Sequence, residues 1–147
     1  MNEEGHPFTK EPEIFYYEFF SEGPNGKIRK VVQFQQISVA DNIYNLGFGD
    51  FNEEIDEVDD LSVSNNQDTQ KVLATVAKTV LNFMQNHPTA IVMAKGSTPS
   101  RTRLYQMGIS QFWEEIATAF DVKGFKDNNW YPYERGKNFE AFFIVKK

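Results

Sequence analysis

Apolar and polar positions alternate over the first third of the chain and then change to a helical period. This pattern predicts strands followed by helices packed on a sheet. Residues 13–20 are strand-like, with aromatics at every other step or closer. Gly23-Pro24-Asn25-Gly26 is strong turn chemistry, because Pro presets φ while Asn and Gly accept positive φ. Residues 27–37 return as a second strand, so a hairpin is expected. Tyr44, Leu46 and Phe48 fall on one face of a third strand over 42–48. Leu61 and Val63 alternate with serines and predict a short fourth.

The period then becomes helical. Val72, Leu73, Val76, Ala77, Val80, Leu81 and Met84 form one apolar stripe, with Asn66 or Asp68 available as cap. Asn86-His87-Pro88 ends this helix. Ala90 to Ala94 is a continuous apolar run, the pattern of a strand covered on both faces. Thr98 and Pro99 then supply an N-cap and a first helical residue. Gly108 should end or bend that helix, and Ser110 should cap a further segment, Gln111 to Phe120. Residues 122–126 and 139–145 read as closing strands joined by an aromatic loop, Trp130-Tyr131-Pro132-Tyr133. The expected fold is α/β (α+β): a mostly antiparallel mixed sheet of about six to seven strands with helices packed on it, in the order β-β-β-β-α-β-α(α)-β-β.

Composition narrows the class. A chain of 147 residues fits one domain, 1–147, whose first twelve residues read as a flexible tail. Hydrophobic residues at 40% and fourteen Phe are too many for a disordered chain. The absence of Cys removes disulfides, thiolate metal sites and a cysteine nucleophile, and suits a cytoplasmic setting. The acidic start lacks the apolar core of a secretory signal, and no apolar run reaches bilayer length, so no membrane role is expected. Charge is uneven: residues 1–94 hold six Lys/Arg against fifteen Asp/Glu, and residues 95–147 hold nine against six. The net charge of −6 argues against nucleic acid as a partner. The basic last third suits a small anionic ligand, and the acidic part a basic protein partner.

Chemistry concentrates in Gly96-Ser97-Thr98-Pro99-Ser100-Arg101-Thr102-Arg103, which follows a buried strand and opens a helix. Free first-turn amides and the helix dipole favour an anion there. Ser97, Thr98 and Ser100 add hydroxyls, and Arg101 and Arg103 can grip phosphate bidentately. The same residues equally make an ordinary capped helix whose arginines pair with carboxylates such as Asp59 or Asp60. The spacing is not that of a Walker A loop, so no nucleotide cofactor is assigned. The acidic stretch Asp50 to Asp60 fails as an EF-hand, because Ile55 replaces the sixth-position Gly and Leu61 the twelfth-position Glu, and it reads as a solvated loop. Asn65 and Asn66 stand at a strand-to-helix junction, where side-chain amides bind a polar ligand or simply cap the helix. His6 and His87 form no triad and no metal cluster with other residues, and no metal is expected.

Two resemblances follow from these residues. The stretch Ala90 to Ile109, with Arg103-Leu104-Tyr105-Gln106-Met107-Gly108-Ile109 after its strand, resembles the penultimate strand and helix of the GNAT acyltransferase superfamily. That resemblance implies a sheet that splays open around acyl-CoA, and it puts Tyr105 at the position of a general-acid tyrosine. The superfamily's Gly- and Arg-rich pyrophosphate loop has no counterpart here, where Asn65-Asn66-Gln67-Asp68 lacks both Gly and cation. The second resemblance rests on Asp59-Asp60-Leu61, Ser64-Asn65-Asn66, Val72-Leu73-Ala74-Thr75-Val76-Ala77, Gly96-Ser97-Thr98 and Arg101-Thr102-Arg103-Leu104-Tyr105. Together these resemble a family of short bacterial proteins of unknown function. It implies a bacterial cytosolic origin and no particular activity. The remaining alternative is a non-catalytic partner-binding protein of a small operon pair, such as a toxin–antitoxin system.

Overall fold

The computed structural model describes residues 12–52, 57–59, 69–96 and 98–147. The expected tail lies almost wholly outside them, as do the strand expected at Leu61 and Val63 and the caps Asn66 and Asp68. Among the described residues eight strands and three helices follow in order: β1 (Ile14–Gly23), β2 (Gly26–Ser38), β3 (Ile43–Asn52), β4 (Glu57–Asp59), α1 (Thr69–Asn86), β5 (Ile91–Ala94), α2 (Pro99–Gln111), α3 (Trp113–Ala119), β6 (Phe120–Lys126), β7 (Asn129–Pro132) and β8 (Ala141–Lys146). Seven strands lie in the order β1-β2-β3-β5-β8-β6-β7, and β4 pairs with the far end of β3. All described strand pairs are antiparallel except β3 with β5. The mixed, mostly antiparallel sheet and the element order agree with the sequence reading.

The β1–β2 hairpin closes at Gly23 and Gly26, and Gly26 takes φ 86°, a conformation costly for other residues. Its inward residues alternate as the pattern requires: Phe15, Tyr17 and Phe19 on β1 face the same side as Val32 and Phe34 on β2. On that side lies α1. Phe83 of α1 stacks on Phe34 at 4.2 Å and meets Tyr44 edge-on at 4.9 Å. Each such ring pair contributes about 1 kcal/mol beyond the buried area. The His87 ring, 4.4 Å from Phe83, closes the helix end and touches the Phe83 carbonyl through Nδ1 at 2.9 Å. Tyr44 has its pKa raised by burial and, secondarily, by Glu13, whose carboxylate accepts from the Tyr44 hydroxyl at 3.4 Å.

Helices α2 and α3 pack on the same side of the sheet as α1. Tyr105 of α2 donates to the Leu46 carbonyl at 3.4 Å, and Trp113 of α3 packs on Tyr133 at 4.7 Å, which in turn meets Phe142 of β8. The run Ala90 to Ala94 is therefore covered on one side only among the described residues. Val92 and Ala94 are buried, while Ile91 and Met93 face the other side half-exposed.

Four local expectations are corrected. Acidic composition suggested a loop from Asp50 to Asp60, yet β3 runs on to Asn52 and pairs with β4 inside that stretch. The aromatic loop contains a strand, because Asp127 and Asn128 both adopt positive φ (51° and 63°) and fold β6 directly back into β7. Gly108 does not end α2, which continues to Gln111. Phe112, rather than Ser110, sits at the start of α3, and the Ser110 hydroxyl is bonded to the Tyr133 hydroxyl instead.

Gly108 therefore pays the entropic cost of glycine inside a helix with no turn in return. A Cβ there would meet only Leu73, at 3.7 and 3.9 Å, which is ordinary contact distance. Gly108→Ala should raise stability by about 1 kcal/mol. A urea midpoint equal to or below the parent's would show that the α1–α2 contact has no room for a methyl.

Candidate functional site

The strand–helix junction after β5 is built by short-range chemistry. Thr98 is extended (φ −134°, ψ 159°), and its hydroxyl oxygen accepts from the Arg101 amide at 3.2 Å, as the cap reading requires. Pro99 is the first helical residue, so its missing N–H costs nothing. The Thr102 amide donates to the Thr98 carbonyl at 3.0 Å, and the Thr102 hydroxyl donates to that carbonyl at 3.2 Å. The Gly96 amide donates to the Thr102 hydroxyl oxygen at 2.9 Å. Most first-turn donors thus serve the junction itself, which leaves the Ser100 amide as the remaining one for an outside acceptor.

Gly96 is required by close approach. A Cβ would lie 2.5 Å from the Thr102 nitrogen and 2.5 Å from the Arg101 Cβ. Its role is to let the helix start rest on the strand end, and no bound group is needed to explain it.

The two arginines part company. Arg101 is buried, 7% exposed, with its guanidinium carbon 5.4 Å from the centre of the Phe48 ring. Lys30 of β2 is equally buried, and its Nζ stands 5.8 Å from the same ring. This pair of buried cations was not anticipated. The signal was present, since Lys30 continues the inward series Val32, Phe34 and Gln36 on β2. Arg103, by contrast, is exposed and lines a groove of about 300 Å³ with Lys95, Thr98, Thr102, Gln106, Asn138 and Glu140. Neither Arg103 nor Lys95 forms an ion pair among the described residues.

The far wall of the groove is fixed by Gln106. Its amide nitrogen donates to the Lys137 carbonyl at 2.8 Å and to the Asn138 side chain at 3.1 Å. Its amide oxygen accepts from the Phe139 amide at 3.0 Å. Glu140 is held at the loop edge, accepting from the Asp127 amide at 3.2 Å. The groove thus joins two exposed cations to one carboxylate and the hydroxyls of Thr98 and Thr102, on walls set by hydrogen bonds to the backbone.

Tyr105 is not in this groove. It is buried, 6% exposed, and its hydroxyl points at Leu46, the last β3 residue paired with β5. Ala94 is also the last residue of β5, so the pairing ends there with the strand, and β3 goes on to meet β4. Between α1, α2 and the sheet lies a small apolar cavity lined by Leu73, Val76, Val80, Leu104, Tyr105 and Ile116, among others. Ser97, Asn65 and Asn66 lie outside the described residues, as do the side chain of Asp59 and the whole of Asp60. Of the expected site, the structure brings together Gly96, Thr98 and Arg103, leaves Ser100 exposed beside them, and separates Arg101 and Tyr105.

Comparison with known proteins gives one match. A family model described as "Family of unknown function (DUF6934)" matches residues 2–147. The chain belongs to that family. No curated protein and no solved structure matches this DUF6934 protein. No described helix is long and apolar enough to cross a membrane.

Proposed function

We propose that this DUF6934 protein binds a small anionic, phosphate-bearing ligand in the groove at the start of α2. The observation that carries the reading is the pair Lys95 and Arg103, both exposed, both without an ion-pair partner among the described residues, and both on the groove that Thr98 lines. Arg103 and Lys95 supply the charge, the Thr98 hydroxyl and the Ser100 amide the hydrogen bonds, and the dipole of α2 adds to them. Glu140 limits how much negative charge the groove accepts, which favours one phosphate over a polyphosphate.

The test is a thermal melt with inorganic phosphate, a nucleoside monophosphate and sulfate. At about 100 times the dissociation constant a ligand adds about 2.7 kcal/mol, or roughly 5–10 °C for a protein of this size. The rise should appear with the phosphate compounds, and Arg103→Ala should abolish it while melting like the parent alone. An equal rise in Arg103→Ala, or no rise in the parent, would remove the proposal.

Acyl transfer is a second reading, supported by the Tyr105 hydroxyl standing where the single parallel pair of strands ends. Tyr105 would then be the proton donor of a GNAT-like site. The Asn65–Asp68 segment, without glycine or cation, predicts that acetyl-CoA nevertheless binds poorly. Calorimetry should show no dissociation constant in the low micromolar range; one there, about −8 kcal/mol, would put acyl transfer ahead.

A further inference from the structure

All three helices lie on one side of the sheet, and among the described residues no helix lies on the other, where Val31 and Ala141 are nevertheless buried. The register identifies which side chains face that way. Opposite Gln33 of β2 stands Tyr16 of β1, 62% exposed, and the centre of the face carries Ile43, Ile91, Met93 and Phe143 from β3, β5 and β8. At the far end Trp130 of β7, 39% exposed, stacks on Phe143 at 4.3 Å. Apolar side chains on the open side thus come from β1, β3, β5, β7 and β8, with Gln33 and Gln35 of β2 and Asn45 of β3 between them. A parallel pair of strands such as β3 and β5 is ordinarily buried on both sides, and exposed apolar patches mark association surfaces.

The charges on this face decide what fits it. Its strand residues include three cations, Lys27, Arg29 and Lys123, and three anions, Glu18, Glu22 and Asp121. Arg29 and Glu18 pair at 2.7 Å, and Lys27 sits over the Phe20 ring at 4.7 Å. These strand residues are electrically balanced, and the net −6 is carried by other residues of the chain. A basic partner gains no field here, and an anionic lipid surface would want an excess of cations. Two copies of one acidic chain, by contrast, repel everywhere except through a neutral surface.

We propose that the open face is a dimer interface, on which a second copy of the chain packs sheet to sheet about a two-fold axis. Seven strands about 4.8 Å apart, with about six residues each, span roughly 30 Å by 20 Å. With side-chain relief this approaches the roughly 800 Å² that each partner buries in an interface of standard size. Self-association of this kind is isologous, so Met93, at the centre, lies near its own counterpart. The surface is on the opposite side of the sheet from the helices, and it stands whether or not the groove binds an anion.

Sedimentation velocity of the full chain from about 1 to 100 µM tests it, together with the emission of Trp130 in Trp113→Phe. The expected result is a species of twice 17.0 kDa that dissociates on dilution, with Trp130 emission moving to the red as it does. Met93→Lys should raise the dissociation constant about 100-fold or more, since it buries two like charges face to face, and circular dichroism should show the fold retained. Trp130→Ala, at the rim, guards against misfolding of that variant and should weaken the dimer about tenfold. A monomer throughout the range overturns the proposal, and blue-shifted Trp130 in that monomer would mean that the chain covers its own face. A dimer unaffected by both variants overturns it too, because association then uses another surface.

Discussion

Gly96→Ala should destabilise the protein by about 3 kcal/mol. The added methyl would stand 2.5 Å from the Thr102 amide nitrogen and 2.7 Å from the Arg101 carbonyl carbon. Both are backbone atoms of the first turn of α2 and cannot rotate out of the way. Either the helix lifts from the end of β5 or the strand end shifts. In both cases the 2.9 Å bond from the Gly96 amide to the Thr102 hydroxyl oxygen is strained or lost. Overpacking of this kind costs about 1–3 kcal/mol, and the hydrogen bond about another 1. Gly108→Ala, whose methyl would meet only Leu73 at ordinary contact distance, serves as the opposite control. Urea denaturation of the two variants should move the midpoints in opposite directions at unchanged slope. A Gly96→Ala protein within 0.5 kcal/mol of the parent would mean that the junction is looser than these distances describe. The groove should fail with it, because the same close approach positions Lys95 and Thr98 beside Arg103.

What the sequence made legible follows from how local each signal is. The β1–β2 turn, the apolar stripe of α1 and the Thr98–Pro99 start of α2 are written within four to eighteen residues, and all three formed as read. β7 was missed although its signal was equally short. Asp127-Asn128 can take positive φ at both positions, but the aromatics beyond it drew the reading toward a loop. β4 was missed because its partner is supplied by β3 rather than by its own acidic composition. The two arginines of the expected site separate for a geometric reason. Arg101 and Arg103 were grouped because they are two apart, and on a helix two residues turn through about 200°, so one faces the core when the other faces water. The open side of the sheet was not legible at all. The run Ala90 to Ala94 shows that both sides of β5 are apolar, but not that one layer of helices covers only one of them.

Arg101→Ala should cost about 3 kcal/mol or more, while Arg103→Ala should stay within about 0.5 kcal/mol. The contrast follows from burial and not from charge, which is the same in both. Arg101 carries its guanidinium over Phe48 in a buried setting, where a cation–ring contact is worth up to about 2 kcal/mol. Its methylene stem is packed as well, and truncation leaves that volume empty. Groups that interact with the guanidinium would also be left buried without it, the costliest part of such a change. Arg101→Met separates these contributions, since it restores most of the stem without the charge. It should recover no more than about half of the loss. Pairing Arg101→Ala with Phe48→Leu should then give less than the sum of the single effects, by about 1 kcal/mol, as expected for residues in contact. Lys30 is the residue to watch in these variants, because its ammonium shares the same ring and Phe48→Leu removes the support of both cations. If Arg101→Ala and Arg103→Ala unfolded at the same denaturant concentration, the division between a structural and a ligand-facing arginine would be wrong. The anion groove would then have to be redrawn to include both.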